Sequence, residues 1–166
     1  SADKRFNWTT TWITGPEQPD DVRDYRTLLT SYLTANLDAA GKWTTSSGGH
    51  YGWEANAARN PATGLPETAR WYGATINLFR AVSPEVRVGT RLEWFRDAEG
   101  TRTALLGRPG FSADFFEATL GATWKPLASV SLRPEARLDW SPDSRPYNDQ
   151  LDRTQLTLAA DLIWKF

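Results

Sequence analysis

From Arg153 to Phe166 the chain reads RTQLTLAADLIWKF, and polar and apolar residues take turns along it. Leu156, Leu158, Ala160, Leu162, Trp164 and Phe166 share one parity; Gln155, Thr157, Asp161 and Lys165 share the other, with Ile163 the one misfit. Successive side chains of a β-strand point to opposite faces, so a period of two predicts a strand with one apolar and one polar side. The same rule holds upstream. SVSLRPEARLDW sets Val130, Leu132, Ala136, Leu138 and Trp140 against Ser131, Arg133, Glu135, Arg137 and Asp139. FSADFFEATLGATWK and EVRVGTRLEWFR with the Asp97 that follows repeat it, with Glu117 and Thr119, and Arg87, Arg91, Glu93 and Asp97, on the polar side. RWYGATINLF, YRTLLTSYLTANLD and FNWTTTWIT follow it more loosely, and KWTTSSGGHYGWEA is the weakest, its middle being small and polar. About eight strands result.

The connections alternate in length. Residues 38–41, 80–84 and 126–128 are short, while 16–22, 56–66, 97–110 and 141–152 are long, all rich in Gly, Pro, Asn, Asp and Ser. An up-and-down meander with one tight and one elaborate end follows. The chain has 166 residues, enough for a single domain, 1–166. With 19 basic and 20 acidic residues it has no charge excess to hold a polyanion, so no nucleic-acid partner is expected. Cysteine is absent, which removes disulfides and thiolate metal sites. No stretch reaches the ~18 apolar residues of a membrane helix. A mean hydropathy of −0.54 suits a soluble protein and a membrane barrel equally, because alternating strands average out.

Alternation leaves open which face is inside, since a soluble lipocalin-like barrel alternates too. Four features favour a transmembrane β-barrel. Short turns at one end and long loops at the other are its habit. The apolar face carries aromatics at both ends: Trp124, Trp164 and Phe166 at one, Trp12, Trp53, Trp94 and Trp140 at the other. Val130 and Trp140 are separated by roughly 25 Å of height at a tilt of ~40°, the thickness of a barrel's apolar band. Between the aromatics lie mostly Leu, Val and Ala, and Gly73, Gly89 and Gly121 fall on the polar side, where a narrow interior would crowd a side chain. The polar face then lines the lumen with Arg87, Arg91, Glu93, Glu117, Arg133, Glu135, Arg137, Asp139, Asp161 and Lys165. Such charges either pair into a plug or line a water-filled passage.

The terminal strand ending on Phe166 resembles the carboxy-terminal signal that the outer-membrane assembly machinery recognises. FNWTTTWITGPEQPDD, HYGWEAN, RLEWFRDAEGTRT, EATLGATWKP and LRPEARLDWS are similar to segments of the second putative β-barrel porin family, with Gly15, Pro16, Glu17, Gly52, Glu54, Glu93, Trp94, Phe95, Asp97, Gly100 and Arg102 fitting. The resemblance covers nearly the whole chain, but such proteins are usually longer, so it falls on their carboxy-terminal part. It implies a bacterial outer-membrane location with both termini periplasmic. The implied function is passive passage of small solutes or ions through an open lumen. The alternative is a structural or anchoring barrel plugged by charged side chains, an engineered or truncated form of a larger porin. The bilayer is the expected partner, with lipopolysaccharide at the loops and, as a further option, a composite barrel or oligomer with another chain.

Smaller constellations carry less. His50 is the single histidine, facing the lumen with Gly52, Glu54 and Ser46 on its strand. A structural role outweighs catalysis there, so no enzyme, metal or cofactor is expected. Pro134 interrupts a strand on its lipid side, predicting a bulge, a kink, or a turn that splits the strand. The loop 97–110 either folds inward as a constriction or stays in solvent. Glu17, Asp20, Asp21 and Asp24 read as a solvated rim, with cation capture the lesser option.

Overall fold

The computed structural model describes residues 5–19, 22–103 and 112–166. Every segment with period-two alternation forms a strand: β1 (Phe6–Pro16), β2 (Tyr25–Asn36), β3 (Trp43–Arg59), β4 (Pro66–Ala81), β5 (Val86–Asp97), β6 (Ala113–Leu127), β7 (Val130–Trp140) and β8 (Thr154–Trp164). They make one sheet in the order β1 to β8, each antiparallel to the next. Among the described residues β1 and β8 each have one neighbour, so the sheet is an open sector of wall with two unpaired edges. The short connections and both termini share one end; the long connections share the other.

Two expected interruptions resolve differently. β7 runs unbroken through Pro134, which stands opposite Ala160 of β8. On its other side the ladder to β6 skips from Gly121↔Glu135 to Trp124↔Leu132, as a residue without an N–H requires. The register shift itself lies nearer the turn, between Trp124 and Leu127. β3 does not stop at Asn56 as the alternation suggested. A bulge between Glu54 and Ala58, with Asn56 at φ 54°, lets it continue to Arg59. The Asn56 amide donates to both carboxylate oxygens of Asp24, at 2.9 Å each, which anchors this bulge to the first loop.

The two faces differ as the parity demands. Leu120 and Leu158 stand 66% and 75% exposed on the outer face, whereas Glu117 on the inner face is 3% exposed. The apolar side is left open while Glu54, Glu117 and Asp139 on the charged side are buried, the inverse of a water-soluble sheet, and toward the short turns Arg133 and Asp161 stay half-exposed.

Candidate functional site: the inner wall

Ring and glycine pairing shapes the inner face. Five cross-strand pairs set an aromatic ring directly opposite a glycine: Tyr32↔Gly48, Trp71↔Gly52, His50↔Gly73, Phe95↔Gly73 and Phe79↔Gly89. A Cβ on Gly48 would lie 2.6 Å from the Tyr32 ring, and one on Gly73 or Gly89 would lie 2.8 Å from His50 Cε1 or Phe79 Cε1. Each ring therefore lies flat on the neighbouring strand, using the space that a side chain would otherwise fill. The crowding expected of Gly73 and Gly89 is thus real. Gly121 differs, for the atoms nearest its virtual Cβ are at an ordinary 3.5 Å.

The predicted lumen charges form two groups. In the middle of the wall, Arg91 grips Glu117 through Nε and Nη2 at 2.9 Å each, and Glu93 lies 3.7 Å from Arg91. Arg137 chelates Asp139 and stands 3.4 Å from Glu117, to which the Thr119 hydroxyl also donates. Arg91, Glu93, Glu117, Arg137 and Asp139 are thus one network. Nearer the short turns, Arg133 holds Asp161 through Nε and Nη2, at 2.8 and 2.5 Å. Arg87 packs over the Phe79 ring at 4.4 Å and donates to the Thr44 hydroxyl. Among the described residues Arg87, Glu135 and Lys165 join no ion pair; Lys165 lies just past β8, its backbone N–H bonded to Ser129.

A third cluster, at the long-loop end, is one the sequence reading did not assemble. Glu54, 2% exposed, accepts from Arg26 at 2.7 Å and from Arg102, whose guanidinium lies 3.9 Å over the Trp71 ring. Asp97 accepts from the backbone N–H groups of Thr101, Arg102 and Thr103 at 2.8–3.0 Å. That cap turns the start of the long loop inward and brings Arg102 onto the wall. Residues 104–110 of this loop lie outside the described residues. In the first loop Glu17 is 3.6 Å from Arg26, whereas Asp20 and Asp21 fall outside them too. Parity already placed Glu54 inside, but no periodicity extends into a loop to flag Arg102.

The outer face carries the aromatics in two rows. Tyr51 stacks on Tyr72 at 5.9 Å and touches Trp53; Tyr72 meets Trp94 edge-on at 5.6 Å; Phe116 stacks on Trp140 at 5.4 Å. Trp12 stands exposed on the same side. At the other end Trp43, Trp124, Trp164 and Phe166 are exposed. His50 packs toward Phe95, with ring centroids 5.8 Å apart, and its strand-mate Ser46 hydrogen-bonds Thr34.

An antiparallel meander with an apolar outer face between two aromatic rows, and arginine–carboxylate ladders within, defines an outer-membrane β-barrel protein of the porin kind. The family model described as putative beta-barrel porin-2, OmpL-like, matches residues 1–166, and the chain belongs to that family. No curated protein and no solved structure matches it.

Proposed function

We propose that the chain forms the wall of a passive, non-enzymatic passage for small solutes across the bacterial outer membrane. The observation that carries this reading is the direction of the ion pairs. Within the strands, the inner-face pairs join side chains of the same or neighbouring strands, such as Arg91 with Glu117 and Arg133 with Asp161. They run along the wall and leave space in front of it. In this reading both termini and the short turns face the periplasm, the long loops meet lipopolysaccharide, and β8 with Phe166 is read by the assembly machinery.

Planar-bilayer recording tests it. Stepwise currents that fall on Arg91→Gln or Arg133→Gln are expected; silence from a refolded, heat-modifiable barrel overturns it. Silence would instead favour a plugged, structural barrel, a reading supported by the near-complete burial of Glu117 and Glu54. An amino-terminal epitope tag is expected to resist surface labelling on intact cells, and labelling there would reverse the orientation.

A further inference from the structure

The inner wall near the short turns holds a cavity of about 430 Å³ that the ion-pair ladders do not fill. Its frame is set by register. Arg87 and Arg91 lie on β5 opposite Thr123 and Thr119 of β6; Arg137 of β7 is opposite Thr119, and Arg133 of β7 is opposite Asp161 of β8. The four arginines thus stand at the corners of a rectangle, about 10 Å across two strand spacings and about 13 Å along four residues. Between them runs the inward row of β6, which is small: Thr119, Gly121, Thr123.

Three corners have donors to spare. Arg91 and Arg133 engage their carboxylates through Nε and Nη2, leaving each Nη1 without a protein acceptor among the described residues. Arg87 has a hydroxyl and a ring for partners but no carboxylate. Arg137 is the closed corner, for it spends Nε and Nη2 on Asp139 and sets Nη1 beside Glu117. The lining carries Arg87, Arg91 and Arg133 against Glu135 and Asp161; Glu117 and Glu93 offset the charge of Arg91, so the guanidinium offered without a carboxylate is that of Arg87. The floor is also bare beyond what packing asks. Gly89 is needed to seat Phe79, whereas Gly121 has room for a side chain and carries none.

We infer that this cavity is a docking site for the oxyanion group, carboxylate or phosphate, of a solute on its way through the lumen. Pre-positioned guanidiniums with unspent N–H groups bind planar or tetrahedral oxyanions by charge-assisted hydrogen bonds. The two ion pairs fix Arg91 and Arg133 in place, so an arriving anion need not order them. The inference rests on the passage reading and names its solute class.

Single-channel currents in KCl, titrated with sodium succinate, inorganic phosphate or tetramethylammonium chloride, test it. Succinate and phosphate are expected to give saturable block, and the cation none. Arg87→Gln should raise the half-blocking anion concentration by about tenfold, one charge-assisted hydrogen bond lost. Gly121→Val, which fills the floor while leaving every arginine in place, should raise it as well. Open channels with non-saturating block, with equal block by the cation, or with block unchanged in both variants overturn this inference alone. Absence of channels overturns the passage reading and this one with it.

Discussion

The unpaired edges of β1 and β8 cannot meet lipid as they stand. Each strand has 11 residues, so each free edge presents about ten backbone N–H and C=O groups, half of the strand's total. An unsatisfied group in hydrocarbon costs several kcal/mol. Two open edges would therefore cost tens of kcal/mol, more than the 5–15 kcal/mol, roughly, by which a whole domain is stable. In the membrane the edges must be covered, and the two strands suit one another. β1 and β8 run antiparallel. Aligning Phe6 with Trp164 and Pro16 with Thr154 matches all residues of both, apolar face on apolar face, with Trp8 opposite Leu162, Thr10 opposite Ala160 and Trp12 opposite Leu158.

Cysteines at Thr10 and Ala160 test that alignment cleanly, because the chain has no cysteine of its own. Directly opposed Cβ atoms are about 4.5–5.5 Å apart, close enough for a disulfide after slight adjustment. The Thr10→Cys/Ala160→Cys double variant, refolded in detergent and mildly oxidised, is expected to cross-link. A covalent monomer of altered mobility on a non-reducing gel means that the eight strands close on themselves. A covalent dimer means that two copies close a sixteen-stranded wall, since an even number of strands keeps every junction antiparallel. Failure of either species to form in folded, heat-modifiable protein refutes the edge-to-edge reasoning.

Three further predictions concern the faces and the packing between them. Leu158→Arg should lower stability in bilayers by about 2–4 kcal/mol, a charge near mid-membrane, while Thr157→Arg next to it should cost within about 1 kcal/mol; urea titration in vesicles compares them, and equal losses would void the assignment of faces. Glu117→Gln leaves two arginines without their shared anion, and about 2 kcal/mol of destabilisation is expected in the same titration. That is below the cost of breaking a fully buried pair, because both arginine side chains remain over a third open to water. Gly52→Trp should destabilise by about 1–3 kcal/mol through overpacking against Trp71. Adding Trp71→Gly, which exchanges ring and glycine across the same pair, should recover more than half of that loss.

The eight strands were legible because each one obeys a local rule: alternation needs only a residue and its neighbours in sequence. Leu156 to Trp164 announces its two faces whatever lies beside it. The end of β3 was not legible, since the bulge at Asn56 resets parity and the signal that would mark Ala58 and Arg59 as strand is the one the bulge disrupts. Parity puts the expected lumen charges on one face of the sheet, yet their grouping was hidden. Nothing in RLEWFRD tells Arg91 to choose Glu117 on the next strand while Glu93, two residues away on its own, stays at 3.7 Å.

Register is the quantity missing from the sequence, and the ring–glycine pairs show how it is specified. Gly48, Gly52, Gly73 and Gly89 look like four weak points in strands, residues that lower β-propensity without packing anything. Each becomes a seat once the partner strand brings a ring opposite it. A slip of one residue between β3 and β4 would turn Trp71 toward lipid and put Arg70 inside. A slip of two would keep both faces but drive Trp71 against a residue with a side chain. The glycines therefore do for β2 to β5 what the Arg91–Glu117 and Arg133–Asp161 pairs do for β5 to β8, which is to make one alignment cheaper than its face-preserving neighbours. Shape thus dominates the register of the first half of the wall, where Arg26–Glu54 is the one ion pair between strands among the described residues, and charge that of the second. Raising salt should accordingly loosen β5 to β8 before β2 to β5, since screening weakens the half-exposed ion pairs and leaves ring packing untouched.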